Sequence, residues 1–229
     1  MGWFTNALSG TIGRKIIMSL SGLFLILFLV GHLAGNLQLI FADAQAFNLY
    51  AKFMTTNPVV KILSYLTYIS IIFHALYGLI ITIKNRQART VGYAYNKPSA
   101  NSTWSSRNMG ILGTLILVFI VVHMYDFWYK YKFGQPALVS YTVDGVTQSY
   151  KDLHVMVMLA FQEGWYVVLY VFSMVAVGFH LYHGFQSAFQ TLGLRHPKYT
   201  PFIKGLGTGF SIVVPALFAA IPVYIYFMK

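Results

Sequence analysis

Residues 16–42 read IIMSLSGLFLILFLVGHLAGNLQLIFA, a run with no Asp, Glu, Lys or Arg and with a histidine, His32, inside it. A bilayer core needs roughly 17–25 apolar helical residues to cross. The run is long enough; it is longer than a signal h-region and follows a weakly polar 1–13, so a cleavable signal segment is not expected. Four more such stretches follow, at 62–83, 108–125, 164–194 and 205–228. The chain is 57% apolar and 9% charged, against about 25% charged in ordinary soluble domains. These features predict an all-α integral membrane protein. It would be one membrane domain over 1–229, with five transmembrane helices at about 16–41, 60–84, 108–131, 164–190 and 205–228.

Working outward from the spans, the net charge of +11 is a matter of topology rather than of nucleic acid. Arg14, Lys15, Lys84, Arg86, Arg89, Lys97, Arg107, Arg195, Lys198 and Lys204 all fall on one side, with no acidic residue among them. The other side carries Lys52, Lys61, Lys130, Lys132, Lys151 and Lys229 with every acid: Asp43, Asp126, Asp144, Asp152 and Glu163. The positive-inside rule then puts the N-terminus in the cytoplasm and the C-terminus outside. The basic face is also suited to an acidic soluble partner. With no cysteine in the chain, disulfides, thioether-linked haem and Cys-ligated iron–sulfur clusters are excluded.

Between the spans, 42–58 reads as a short outer loop ending in the helix-start pair Asn57-Pro58. Residues 85–107 read as an irregular inner loop. Residues 139–150 read as a hairpin turning on Asp144-Gly145, and 153–162 as a short interfacial helix. Span five, with Pro215 and Pro222, reads as a flanking helix. Aromatics at the span ends (Trp104, Trp128, Trp165 and Tyr224 among them) suit an interfacial belt.

Each of the first four spans holds a histidine: His32, His74, His123 and His180. Ionisable groups inside a membrane are rare and mark functional sites. The helical rise places His32 and His123 about 24 and 22 Å from the inner face, and His74 and His180 about 15 Å from it. The histidines therefore pair by depth, His32 with His123 in the outer half and His74 with His180 in the inner half. Two bis-His haems inside a four-helix bundle have this ligand set.

Spans two and four share the pattern F-H-x-x-x-G, at Phe73-His74-Gly78 and Phe179-His180-Gly184. A residue four positions after a ligand shares its helix face, so glycine there clears room for a macrocycle. Gly35 after His32 is a looser case. Small residues also let helices approach closely, which is the alternative for any one of them. His183, one turn from His180, is a second candidate ligand, but Ser187 stands at its fourth position. A porphyrin-free metal site would call for carboxylates, and only Asp126 and Glu163 lie near a span. His154 and His196 read as solvent-facing.

With Gly13-Arg14-Lys15, Ser21-Gly22, Gly31-His32-Leu33-Ala34-Gly35-Asn36, the four histidines and the two H-x-x-x-G motifs, nearly the whole chain resembles one family. This is the dihaem cytochrome b membrane-anchor subunit of succinate:quinone oxidoreductases (succinate dehydrogenase and fumarate reductase), single-chain five-helix type. The resemblance implies two haems b, the inner on His74 and His180 and the outer on His32 and His123. It implies a flavoprotein and an iron–sulfur subunit on the cytoplasmic face of a bacterial inner membrane. It also implies a quinone, usually menaquinone, reacting near the outer haem. Asn36, Gln38, Asp126 and Trp128 are the candidates beside that haem; no early carboxylate in span two offers a proton route. A cytochrome b for a hydrogenase or formate dehydrogenase, and a haem-free transporter built on a His relay, are the alternatives. The chain on its own would catalyse no dehydrogenation.

Overall fold

The computed structural model describes residues 2, 10–88 and 97–228; Arg89 and Lys229 lie outside them. Five helices among these residues are long and apolar enough to cross a membrane. They are α1 (Thr11–Phe41), α3 (Pro58–Gln87), the Met109–Phe133 rod, α9 (Gly164–Thr191) and α10 (Thr200–Phe227). The rod is α6 (Met109–His123), a π turn (Met124–Tyr129) and α7 (Lys130–Phe133). The chain is an all-α integral membrane protein, with one hairpin among the described residues. The long helices keep apolar side chains exposed: Leu27 at 70%, Val121 at 62% and Ile212 at 64%. In water such surface would drive association; in a bilayer it is the lipid face.

The shorter elements sit between the spans. The stretch 42–58 forms a helix, α2 (Ala44–Thr56), where the sequence suggested a loop. Asp43 caps it, its carboxylate accepting from the Ala46 N–H at 2.7 Å. Phe47, Asn48 and Ala51, at helical spacing, are its buried face. Asn57 caps α3 in turn, its side-chain oxygen accepting from Val59 N at 2.9 Å and Val60 N at 3.3 Å. In 97–107, α4 (Pro98–Asn101) and α5 (Trp104–Arg107) are single turns.

The hairpin pairs β1 (Leu138–Val143) with β2 (Val146–Lys151), Val143 opposite Val146. Its two-residue turn has Asp144 at φ 50° and Gly145 at φ 77°, the double left-handed geometry of a type I′ turn. Next comes α8 (Leu153–Ala160), capped by Asp152 accepting from Val155 N at 3.0 Å. Pro215 and Pro222 lie inside α10, which runs on through both.

Two compact units emerge by contact density: Met1–Phe28, Thr67–Ile116 and Ala176–Val213 form the first, and Leu29–Leu66, Leu117–Val175 and Val214–Lys229 the second. Each long helix gives a stretch to both. His74, His180 and His183 belong to the first unit, His32 and His123 to the second.

In the second unit, Asn48 on α2, only 1% exposed, uses both ends of its amide. The nitrogen donates to the Tyr141 hydroxyl at 3.0 Å and to Asp152 Oδ1 at 2.9 Å. The oxygen accepts from His154 N at 3.0 Å. One side chain thus binds the hairpin and the start of α8 to α2. His154, expected in solvent, is half-buried, its ring 6.0 Å from Phe47, because α8 packs on α2. His196 is exposed, stacked on Tyr199.

Candidate functional site

In the first unit the imidazoles of His74 on α3 and His180 on α9 lie 6.0 Å apart, centroid to centroid, at 63°. In the second, His32 on α1 and His123 on α6 lie 5.7 Å apart at 90°. The histidines that depth arithmetic sets on one level are those whose rings meet. His183, half-buried one turn beyond His180, makes no ring contact with His74 among the described residues.

Edge-to-face rings pack at 4.5–7 Å on their own account. Two imidazoles sharing one metal atom also sit roughly 6 Å apart, from two bonds of about 2 Å each and the ring half-widths. The choice therefore rests on what surrounds the nitrogens. Ser21 Oγ is 3.2 Å from His74 Nδ1. The single hydroxyl proton of Ser21 goes to the Ile17 carbonyl at 2.8 Å and the Met18 carbonyl at 3.1 Å. With that proton on a carbonyl the hydroxyl accepts from the imidazole, and Nδ1 then carries the ring proton while Nε2 keeps its lone pair. That tautomer ligates a metal through Nε2, with Nδ1–H held by an outer partner.

His180 has no such support. Its Nδ1 is a buried polar atom with no hydrogen-bond partner among the described residues. Buried polar atoms are almost always satisfied, so this orphan marks a ring placed for a reason other than stability.

The first pair is bedded on glycines. A Cβ built on Gly22 of α1 would stand 3.2 Å from His74 Cε1. One built on Gly113 of α6 would stand 3.9 Å from His180 Cε1. In the sequence Gly22 figured only in the resemblance and Gly113 not at all, yet a signal for their role was there: each lies ten residues before the histidine of its own span, His32 and His123. The residues preceding them are Ser21 and Leu112. A serine reaches His74 where leucine, at the equivalent place in the echoed helix, has nothing to offer His180.

The glycines singled out from sequence behave differently from one another. Beside Gly184 a Cβ would meet nothing within 4 Å. At Gly78 it would meet the flexible Met18 methyl at 3.2 Å. Gly35 serves another purpose: a Cβ there would stand 2.8 Å from the Tyr50 ring, so this glycine admits a tyrosine from α2.

The second pair lies among aromatics. Phe218 of α10 is 5.6 Å from His32; Phe119 and Phe127 are 5.7 and 5.6 Å from His123. Tyr170 of α9 meets His123 Nδ1 with its hydroxyl at 3.1 Å. Tyr170 OH is 3.3 Å from Tyr166 OH, which donates to Asp126 Oδ2 at 2.8 Å. Lys130 holds the other carboxylate oxygen at 2.5 Å. The Asn36 amide nitrogen donates to the His32 carbonyl at 2.8 Å and approaches His32 Nδ1 at 3.4 Å, a contact too long to fix that ring's tautomer. Trp128 packs on Phe133 at 5.6 Å, under Lys132. Gln38 gives its carbonyl to Ala42 N.

Among the described residues no third His, Cys, Asp or Glu joins either pair in an ion-binding cluster. Two imidazoles and no carboxylate form the donor set of an axially ligated haem, whose macrocycle brings the other four ligands. The paired rings, the proton-bearing Nδ1 of His74, the orphaned Nδ1 of His180 and the open side of Gly184 all fit that group. No family model, curated protein or solved structure matches the chain.

Proposed function

We propose that this chain is the membrane-anchor cytochrome b subunit of a succinate:quinone oxidoreductase. It would carry electrons between an iron–sulfur subunit and a membrane quinone, menaquinone by resemblance, through two bis-His haems b. The observation that carries the reading is the meeting of four intramembrane histidines as two pairs, 6.0 and 5.7 Å apart, each drawn from two different spans. Haem supplies one-electron chemistry when bound. The residues' part is to ligate it, to hold the ligand rings in their tautomers and to keep the site in an apolar surround. His74 and His180 would hold one haem, with Gly78 and Gly184 leaving its face clear, and His32 and His123 would hold the other. His183 is assigned an outer role beside His180.

The proposed setting is a bacterial cytoplasmic membrane, N-terminus inside, with the basic loops facing the flavoprotein and iron–sulfur partners. Pyridine haemochrome analysis of the purified chain is expected to give two haems b per polypeptide. His74→Ala and His32→Ala are each expected to leave one, and not the same one. A chain without haem would favour a His-relay transporter. Two haems with hydrogenase or formate dehydrogenase subunits co-purifying would move the chain to another oxidoreductase.

A further inference from the structure

Tyr166 has one hydroxyl proton, and it lies on the 2.8 Å bond to Asp126. A carboxylate accepts and does not donate, and Lys130 holds its other oxygen at 2.5 Å. At 3.3 Å from Tyr170 OH, the Tyr166 oxygen is therefore left to accept, and Tyr170 spends its own proton there. The Tyr170 oxygen in turn accepts from His123 at 3.1 Å. For all three contacts to be hydrogen bonds, every link must point the same way: His123 Nδ1–H to Tyr170, Tyr170 to Tyr166, Tyr166 to Asp126. The direction is set at the far end, by a carboxylate that has only lone pairs.

We propose that Tyr170 is a positioning residue for His123. In this reading Tyr166 and Asp126 orient its hydroxyl so that His123 presents Nε2 to iron with its Nδ1–H permanently engaged. The inference rests on the reading of His32 and His123 as haem ligands. Three observations carry it beyond a generic buried hydrogen bond.

The first is its end point. Ligand histidines commonly tie the other ring nitrogen to a carboxylate or carbonyl, and here the carboxylate acts through two phenols. The second is local backbone. Asp126 lies in the π turn Met124–Tyr129 that directly follows His123. A bulge of this kind re-registers what comes after it and recurs at functional sites. Here it accompanies an Asp126 that faces α9 only three residues after a histidine that does the same. The third is specificity. His74 has only neutral partners, the Ser21 hydroxyl and the Met18 backbone, and His180 Nδ1 has none among the described residues, so of these three rings His123 alone is tied to a charge. Tyr170 is 6% exposed and Tyr166 4% exposed, and both pack on Phe161, with centroids at 4.9 and 5.8 Å. The two phenols are thereby held away from competing water, while Asp126 and Lys130 at the end of the network are more exposed.

An imidazole whose Nδ1–H is drawn toward an acceptor donates more strongly through Nε2 and favours ferric over ferrous iron. The test compares the wild-type full-length chain with Tyr170→Phe, both purified from membranes in mild detergent, by optical redox titration and low-spin EPR. Tyr170→Phe keeps the ring and removes the acceptor. The expected result is two haems retained, with one midpoint potential moved upward and its EPR signal altered. That haem is the one missing in His32→Ala; the other is unmoved.

Tyr166→Phe is expected to move the same haem in the same direction by less, and it carries the test if Tyr170→Phe does not fold. Two retained haems with unchanged potentials and EPR in either phenylalanine variant would overturn the positioning role and leave the haem reading intact. Equal shifts in both haems would overturn it as well, since a local link cannot act on both. A wild-type chain without haem would remove the reading on which the proposal stands.

Discussion

Gly22 on α1 lies against the imidazole of His74 on α3 with little room to spare: a Cβ would stand 3.2 Å from the ring's Cε1, so the ring would have to give by a few tenths of an ångström. The ring cannot retreat freely, because its Nδ1 is held at 3.2 Å by Ser21 next to that glycine. Two adjacent residues of one helix therefore set the place of a ring on another. Gly22→Leu is expected to displace His74 and reduce haem from two per chain to one, with the His32–His123 haem kept. Haemochrome titration against protein concentration reads the ratio. A Gly22→Leu chain that keeps both haems would show that this contact does not govern the site.

Ser21→Ala takes away the hydroxyl beside His74 Nδ1 and leaves that ring only its backbone contact with Met18. Loss of such an outer partner typically lowers metal affinity about 10–100-fold. The expected outcome is faster haem loss from the His74–His180 pair to apomyoglobin as scavenger, with the other haem retained as in wild type. Ser21→Thr, which keeps the hydroxyl, is expected to restore retention.

His180 and His183 can be told apart by absorbance of the reduced protein. The ring that meets His74 at 6.0 Å is that of His180, so His180→Ala is expected to lose one haem and His183→Ala to keep both. If only the His183→Ala chain loses haem, the ligand lies one turn further along α9.

Asn48 offers a prediction about stability alone. Its three hydrogen bonds hold the hairpin and α8 to α2. Truncation leaves buried polar groups without partners, at a cost of about 1–3 kcal/mol. Asn48→Ala is expected to expose the turn at Asp144-Gly145 to proteolysis several-fold faster than wild type while haem content stays at two. Unchanged cleavage would mean that the hairpin is held by something else.

The spans were legible in sequence because hydrocarbon admits no unpaired backbone group, so a long uncharged run has one stable form, the helix. The hairpin was legible because Asp-Gly suits the doubly left-handed turn, and α8 because the apolar stretch 153–190 is too long for one straight span. The outer helix α2 was less so: Asp43 is a cap signal and Phe47, Asn48 and Ala51 share a face, but Gln45, Lys52 and Thr55 dilute the pattern in a short segment. The partners of the histidine rings were legible as far as depth goes, since the rise per residue is constant along a helix.

What depth along a helix does not carry is azimuth. No spacing within α1 says that Gly22 faces His74, or that Gly35 faces Tyr50 and leaves the histidines alone. Nor does any spacing within α9 say that the Tyr170 hydroxyl reaches His123. These contacts join residues 52, 15 and 47 positions apart, and the rotation of each helix against its neighbours decides them. The sequence by itself determined five helices able to cross a membrane and which histidines pair, because those follow from the length, polarity and pitch of single segments. Only the tertiary structure decided which groups meet the Nδ1 of His74 and of His123, because those hydroxyls are brought to each ring from another helix.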